Sequence, residues 1–201
     1  MTKLTLFHAP GACSTGIKLL LEEAGAAYDQ VTLNLAQGEQ RGEAYQAKNP
    51  KGKVPALTLP DGKTLTEFPV IAYWIARHFP EARLLPEGFE QEIQVLELTE
   101  YIVSSLHMRG SVFVMRPEKF AADPAAQEEL RQHGRQILAE GYALIADHLA
   151  GADYLCGAFS IADAAAFYLL SWRARTGVDF PAPLDAYYQR LTARPAAARL
   201  L

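Results

Sequence analysis

The hydrophobic pattern divides the chain into a first part that contains strands and a second part that contains only helices. Apolar positions alternate over residues 4–7 and 28–35 and predict two strands. Between them, apolar residues over 17–24 have helical spacing and predict a helix that stops at Gly25. A helix that connects two neighbouring strands usually makes them parallel, so the chain is predicted to begin with a β-α-β unit.

A predicted hairpin and helix complete this first part. Residues 57–59 and 64–65 are apolar strand segments on either side of the turn at 60–63, which predicts an antiparallel hairpin. Pro55 stands directly before the first of these strands and indicates an edge position in the sheet. Pro69 is favourable at the start of a helix, and apolar residues with helical spacing follow it. This segment is therefore predicted to add β-β-α.

The second part shows only helical periodicity. The predicted helices cover four segments, residues 90–114, 124–149, 161–174 and 184–193. Ser160 and Asp163 have the spacing of a capping box before the third of them. Prolines and a glycine over 80–89 indicate a linker. The predicted fold is α/β plus all-α, with a first domain at 1–79, a linker at 80–89 and a helical domain at 90–201.

Composition and charge exclude several classes of function. The chain has 201 residues, of which 50% are hydrophobic and 21% are charged, and its net charge of −4 is typical of an ordinary soluble protein. It has no basic stripe for a nucleic acid, and its apolar runs are shorter than the ~20 residues that span a bilayer. The start of the chain lacks the pattern of a secretory signal, so a cytoplasmic location is predicted.

Cys13 is the first candidate for chemistry. The chain contains only two cysteines, too few for a disulfide framework, and Cys13 follows a Pro-Gly break at the start of the first predicted helix. The N-terminus of a helix stabilises negative charge and can lower the pKa of a cysteine from ~8.5 to about 3.5–7.5. We therefore predict that Cys13 is a reactive thiol whose pKa lies below that of a free cysteine.

Five motifs, spread over almost the whole length, resemble those of one family. They are Pro-Gly-Ala-Cys-Ser at 10–14, Asn-Pro-Lys-Gly-Lys-Val-Pro-Ala-Leu at 49–57, Leu-Thr-Glu at 65–67, Ser-Leu-His at 105–107 and Phe-Ser-Ile-Ala-Asp-Ala at 159–164. In this order they resemble the cytosolic glutathione transferases, most closely the bacterial beta class. The resemblance implies a thioredoxin-like N-terminal domain, a helical C-terminal domain and a homodimer.

The resemblance also implies roles for individual residues. Cys13 matches the cysteine that faces the sulfur of glutathione. Pro55 matches a cis-proline, and Val54 before it matches the residue whose backbone pairs with the cysteinyl part of glutathione. Glu67 matches the acid that holds the γ-glutamyl end, and His107 matches a histidine that reaches the sulfur from the helical domain.

Three positions depart from the family pattern. Phe68 stands where the family usually has serine or glycine, so only its backbone N–H is left for the γ-glutamyl carboxylate. Met108 replaces a frequent lysine, and Gln37 lies near the place of another. The cations that could substitute for them are Lys51, Lys53 and Arg109. These departures predict weaker binding of glutathione.

The leading hypothesis is an enzyme that joins the sulfur of glutathione to a small apolar electrophile. The electrophile is expected against the helical domain, near His107, Phe113 and Trp172. Glutathione would be a co-substrate, and no metal or organic cofactor is expected. Three alternatives stay open: a thiol–disulfide reductase that uses Cys13, a serine-type mechanism that uses Ser14, and a carrier of apolar ligands without catalysis.

Overall fold

The computed structural model describes residues 3–200, so the predicted domain ends at residues 1, 2 and 201 lie outside it. The described strands are β1 Leu4–His8, β2 Tyr28–Thr32, β3 Ala56–Thr58 and β4 Thr64–Thr66. They form a four-stranded sheet in the order β2-β1-β3-β4. β1 is parallel to β2 and antiparallel to β3, and β3 is antiparallel to β4. The predicted parallel unit and the predicted hairpin are both confirmed.

Three helices belong to the unit that contains the sheet, and the pattern indicated the end of the first and the start of the last. They are α1 Ser14–Glu23, α2 Glu43–Gln46 and α3 Phe68–His78. α1 is followed by Gly25 with a φ of +60°, a left-handed conformation that favours glycine. α3 carries Pro69 in its first turn, where a missing N–H is tolerated. The predicted stop and start signals are confirmed.

Two predictions about the strands are wrong. The second strand ends at Thr32 rather than at residue 35, and Val31 and Leu35 are 40% and 38% exposed, so only Leu33 of the predicted apolar face is buried. β2 is an edge strand, and its side chains face solvent. β3 is an interior strand, because β1 and β4 both pair with it. Pro55 precedes β3, so its missing N–H removes no bond from the sheet.

The core of this unit lies where α1 and α3 pack against each other. Its fully buried side chains include Leu6, Ile17, Leu20, Leu57, Ile71 and Ile75. Each contributes roughly 1.5–3 kcal/mol through burial of its apolar surface. This packing fixes the end of β1 and the start of α1, which carry the candidate site.

The second unit is helical and runs from Pro86 to Ala193. Its helices are α4 Phe89–Glu100, a π-helical continuation Tyr101–Ser111, α5 Val112–Met115, α6 Pro124–His148, α7 Ile161–Leu170, α8 Arg173–Thr176 and α9 Ala182–Thr192. All residues of α7 are buried, as expected for a central helix. The predicted capping box is confirmed, since the Ser160 N–H donates to the Asp163 carboxylate across 2.8 Å. No helix in the described part of the chain is long and apolar enough to cross a membrane.

The segment from Arg194 onward groups with the first unit, which otherwise ends at Leu85. The prediction had placed this segment in the helical domain. Its last helix, α10 Pro195–Ala198, contacts α1. Arg194 holds the carboxylate of Glu23 with two hydrogen bonds of 2.7 and 2.8 Å. This bidentate ion pair joins the start of the segment to the last residue of α1.

Candidate active site

Cys13 lies between the end of β1 and the first residue of α1. The chain turns there through Gly11, whose φ of +68° favours glycine, and through a hydrogen bond from the Ala12 N–H to the Ala9 carbonyl. Cys13 is the N-cap residue of α1 and is half-buried. Its predicted place at the start of the helix is confirmed.

The predicted low pKa of Cys13 is wrong for this structure. Burial raises its pKa to about 12, and the backbone N–H groups of Cys13 and Ser14 lower it only in part. The charge of Glu67 raises the pKa further, whereas the charge of Lys53 lowers it. The thiol also donates a hydrogen bond to the Val54 carbonyl across 3.3 Å, which stabilises its protonated form. Loss of hydration therefore outweighs the helix N-terminus.

The loop before β3 holds Val54 against Cys13. The Val54–Pro55 peptide bond is cis, as the resemblance implied. The Tyr45 hydroxyl and the Asn49 side-chain amide donate to the Lys53 carbonyl across 2.5 and 2.7 Å, and Tyr45 and Asn49 are buried. Within residues 3–200, the Val54 N–H has no hydrogen-bond partner. A fixed N–H is thus available to a ligand beside the thiol.

Glu67 lies between β4 and α3 in an unusual backbone conformation. Its φ of +70° is rare for a residue other than glycine, and such strain is often found at functional sites. Its carboxylate binds the Lys51 ammonium across 2.6 Å, and Lys51 also donates to the Thr66 hydroxyl across 2.9 Å. The side chain of Phe68, the next residue, is only 3% exposed. Phe68 therefore offers no side-chain donor to a ligand.

A buried pair beneath the turn was not predicted from the sequence. The Ser14 hydroxyl lies 2.9 Å from Nδ1 of His8, and it accepts a hydrogen bond from the Ala9 N–H across 3.1 Å. Burial and, to a lesser extent, the charge of Lys18 lower the pKa of His8 to about 4, so its imidazole is neutral at neutral pH. The Ser14 hydroxyl also donates to the Ala9 carbonyl across 3.3 Å. The Ser14 hydroxyl is fully buried and already bonded, which argues against the serine-type alternative. The sequence signal that could have indicated this pair was the presence of His8 and Ser14 on either side of the turn.

The helical unit contains the other predicted residues. Nδ1 of His107 lies 3.2 Å from the Tyr168 hydroxyl, and the ring of His107 packs edge-on against Trp172 with centroids 4.8 Å apart. Phe113 instead packs against the ring of Phe120, at a centroid distance of 5.0 Å, and in the described chain it has no ring contact with Trp172. Of the two predicted pocket residues, Trp172 lies beside His107 and Phe113 packs against Phe120. Tyr168 is 61 residues from His107 in the sequence, so no local pattern could have indicated it.

Charged groups of the first unit act on the Cys13 thiol. Glu67 and Lys53 both act on the Cys13 thiol, and Lys51 binds Glu67. Throughout residues 3–200, no three His, Cys, Asp or Glu side chains are grouped to hold a metal. The charges of Glu67 and Lys53 thus act on the thiol, and Lys51 is paired with Glu67.

Comparison with known proteins places the chain in a family. Residues 2–77 match the family model of the glutathione S-transferase N-terminal domain. Glutathione S-transferase GstA of Escherichia coli O157:H7 is 32% identical over 197 residues, which cover 96% of this chain and 94% of that protein. The chain belongs to the glutathione S-transferase family. The family that the motifs indicated is confirmed.

Solved structures of glutathione S-transferases share the whole fold. A homologue from Sulfitobacter with bound glutathione is 31% identical, has a TM-score of 0.91 and covers 100% of this chain and 97% of its own. A beta-class enzyme from Sphingomonas chungbukensis is 32% identical, has a TM-score of 0.85 and covers 98% of this chain and 96% of its own. The predicted architecture, a thioredoxin-like domain followed by helices, is confirmed.

Proposed function

We propose that this member of the glutathione S-transferase family conjugates the thiol of glutathione to small apolar electrophiles, as in detoxification. The observation that carries the proposal is the hydrogen bond that the Cys13 thiol donates to the Val54 carbonyl. A protonated thiol is a hydrogen-bond donor. When glutathione occupies the site, Cys13 can donate to the glutathione thiolate in place of the Val54 carbonyl, and this stabilises the reactive form of the substrate.

The remaining groups of the first unit would bind the peptide part of glutathione. The N–H and C=O of Val54 pair with the cysteinyl residue as an added strand does. The Glu67 carboxylate takes the γ-glutamyl ammonium, and the backbone N–H of Phe68 takes the neighbouring carboxylate. The positive charge of Lys53 already lowers the pKa of Cys13 and would act in the same direction on a substrate thiol. Together these groups hold glutathione with its sulfur at the start of α1.

The reaction needs only a proton acceptor and a positioned sulfur. The glutathione thiol loses its proton, and a lone pair of the thiolate forms the new S–C bond while the leaving group departs with the electrons of the broken bond. We propose His107 as the proton acceptor, on the basis of its Ser-Leu-His motif and the Tyr168 hydroxyl that orients its ring. Glutathione is the co-substrate, and this scheme uses no metal or organic cofactor.

The raised pKa of Cys13 favours conjugation over disulfide reduction. A reductase that resolves mixed disulfides uses a cysteine thiolate as the attacking group. A pKa of about 12 leaves almost no thiolate at neutral pH. A neutral Cys13 can still donate a hydrogen bond, which is all that conjugation requires of it.

Replacement of Cys13 distinguishes conjugation from disulfide reduction. We expect Cys13→Ala to lower the conjugation of glutathione to 1-chloro-2,4-dinitrobenzene about tenfold without abolishing it, since one hydrogen bond to a charged group is lost. Cys156→Ala is the matched control, because Cys156 is also a half-buried free thiol. Unchanged conjugation in Cys13→Ala would contradict the role of Cys13 as a donor.

Two other results would point to the alternatives. Rapid reduction of a glutathione mixed disulfide that disappears in Cys13→Ala, with negligible conjugation by the wild type, would establish the reductase. Binding of an apolar fluorescent ligand without turnover of either substrate, and without any effect of Cys13→Ala, would indicate a carrier.

We also propose a cytoplasmic homodimer. Each unit exposes large apolar side chains one turn apart on a helix: Val70 and Tyr73 on α3 are 52% and 36% exposed, and Phe89 and Ile93 on α4 are 71% and 44% exposed. Such patches often mark protein interfaces. We expect the wild type to sediment as a dimer and the double variant Val70→Glu, Phe89→Glu to sediment as a monomer.

The proposed cytoplasmic location fits the state of the cysteines. Both cysteines are free, which suits a reducing compartment, and cell fractionation can check the location.

A further inference from the structure

A cleft of about 570 Å³ opens on the first unit, on the side where α1 ends and β2 begins. We call it the α1–β2 cleft. The charged residues that line it are Lys3, Lys18, Glu22 and Arg199. Three cations and one carboxylate give the cleft a formal charge of +2, although the whole chain carries −4. The residues whose charges act on the Cys13 thiol do not line it, so the cleft is separate from the candidate active site.

The carboxylate in this cleft is already bound by two donors. The Tyr28 hydroxyl donates to Oε1 of Glu22 across 2.8 Å, and Nε of Arg199 donates to Oε2 across 3.2 Å. The side chain of Glu22 is only 25% exposed. Arg199 therefore balances the charge of Glu22, and the positive charge of the two lysines remains.

Lys18 is the lysine that the fold leaves unpaired. It lies four residues before Glu22 on α1, a spacing that often allows an ion pair on a helix, but the two side chains form none. In the chain from residue 3 to residue 200, Lys18 has no hydrogen bond or ion pair. It is half-buried, and its charge reaches the core, where it helps to lower the pKa of His8. A partly buried cation without a partner is unfavourable, so its place in the wall of a cleft indicates an anionic ligand.

Arg199 and Lys3 offer further donors to the same anion. Only Nε of Arg199 is bound to Glu22, so the two terminal nitrogens of the guanidinium are available within the described residues. Two parallel N–H groups match two oxygens of a phosphate. Lys3 is 58% exposed and lies 3.7 Å from Asp29, a weak ion pair that a ligand can replace.

The segment that carries Arg199 is held in place. Arg194, at its start, binds the Glu23 carboxylate with hydrogen bonds of 2.7 and 2.8 Å, and these two side chains are only 22% and 15% exposed. The following helix, α10, contacts α1. The position of Arg199 beside Lys18 is therefore part of the fold.

We propose that the α1–β2 cleft binds a phosphate monoester of a small organic molecule, with Lys18 and Arg199 as the main phosphate ligands. Such a phosphate carries about −1.5 to −2 charges at neutral pH, which matches the formal charge of the cleft. Tyr28 and Leu200 also line the cleft and offer an apolar wall to the organic group. A volume of about 570 Å³ suits a small organic ligand. The inference is independent of the proposed function, because it uses none of the groups assigned to glutathione.

Titration calorimetry with three probes tests the proposal. The probes are phenyl phosphate, inorganic phosphate and benzyl alcohol. We expect the wild type to bind one phenyl phosphate, to bind inorganic phosphate more weakly and to show no binding of benzyl alcohol. Lys18→Met should weaken phenyl phosphate about tenfold, since a hydrogen bond between two charged groups is lost. Lys3→Met should weaken it by a smaller factor, because Lys3 is more exposed.

Two lysines of the same unit provide the controls. Lys63 stands directly before β4, at the opposite edge of the sheet from β2. Lys53 acts on the Cys13 thiol in the candidate active site. Lys63→Met and Lys53→Met should bind phenyl phosphate as tightly as the wild type does.

Every other outcome overturns the proposal. A wild type that does not bind phenyl phosphate refutes it directly. Equal losses in Lys18→Met and Lys63→Met would show a general attraction of anions to lysines, and a loss confined to Lys53→Met would place the anion at the candidate active site. Inorganic phosphate that binds as tightly as phenyl phosphate would show a site for the free ion. If Lys18→Met does not fold, Lys3→Met decides, and unchanged affinity in that variant refutes the proposal.

Discussion

The thiol of Cys13 donates a hydrogen bond to the carbonyl of Val54, 41 residues away in the sequence. This contact joins the N-terminus of α1 to the loop before β3. It holds the thiol in its protonated form, and it occupies the carbonyl that a bound glutathione would use. A ligand that takes this carbonyl would therefore free the Cys13 thiol to donate elsewhere.

The first prediction concerns the titration of Cys13. In a Cys156→Ala background, we expect the rate of alkylation to keep rising above about pH 9, because burial raises the pKa to about 12. The folded pKa lies above that of the unfolded chain, so the contribution of Cys13 to stability is present below about pH 9 and declines at higher pH. A plateau of the alkylation rate below about pH 8.5 would contradict the prediction.

His8 should make stability fall in mild acid. Its pKa in the folded protein is about 4, against an ordinary value of 6.5, so the unfolded state binds more protons between these values. The loss should begin as the pH falls below about 6.5 and should reach up to about 3 kcal/mol near pH 4. Urea unfolding of the wild type and of His8→Gln measures it. The same acid loss in both proteins would exclude His8 as its source.

Glu67→Gln should weaken the binding of glutathione by about 1.5–3 kcal/mol, because a charged partner of the γ-glutamyl ammonium is removed. Calorimetry measures the change. Glu43→Gln is the control, since Glu43 is an exposed acid of the same unit. If the two variants bind glutathione equally well, Glu67 has only a structural role at the start of α3.

Phe68→Ser should raise the affinity for glutathione and lower the free energy of unfolding. A serine hydroxyl restores a donor to the γ-glutamyl carboxylate and should tighten binding by about 1–3 kcal/mol. The ring is almost fully buried, so its loss should lower the free energy of unfolding by about 3–5 kcal/mol. Binding and unfolding must be measured on the same preparation. A folded variant that binds no better would show that the site is complete without the hydroxyl.

Gly134→Ala should destabilise the helical unit by about 1–3 kcal/mol. A Cβ at Gly134 on α6 would lie 2.7 Å from the Gly110 carbonyl oxygen and 2.9 Å from Cβ of Phe113. Helix propensity alone predicts the opposite, a gain of about 1 kcal/mol. The sign of the change in thermal or urea unfolding therefore decides whether close packing controls this position.

The sequence by itself determined most elements and their boundaries. The signals that succeeded act within a few residues. Gly25 ends α1 because it adopts a positive φ, Pro69 fits the first turn of α3 because it has no N–H to lose, and Ser160 with Asp163 caps α7. The five motifs, in their order along the chain, identified the glutathione S-transferase family. The exposed face of β2 was missed because burial of a strand depends on what covers it.

Only the tertiary structure decided the chemistry of the thiol. The sequence showed a cysteine at a helix N-terminus, which lowers a pKa, but it could not show that Val54 and the surrounding core remove water from the sulfur. The pairing of Lys51 with Glu67 and that of His8 with Ser14 likewise depend on chain segments brought together by folding. Hydration and charge act through distance in space, and a sequence records only distance along the chain.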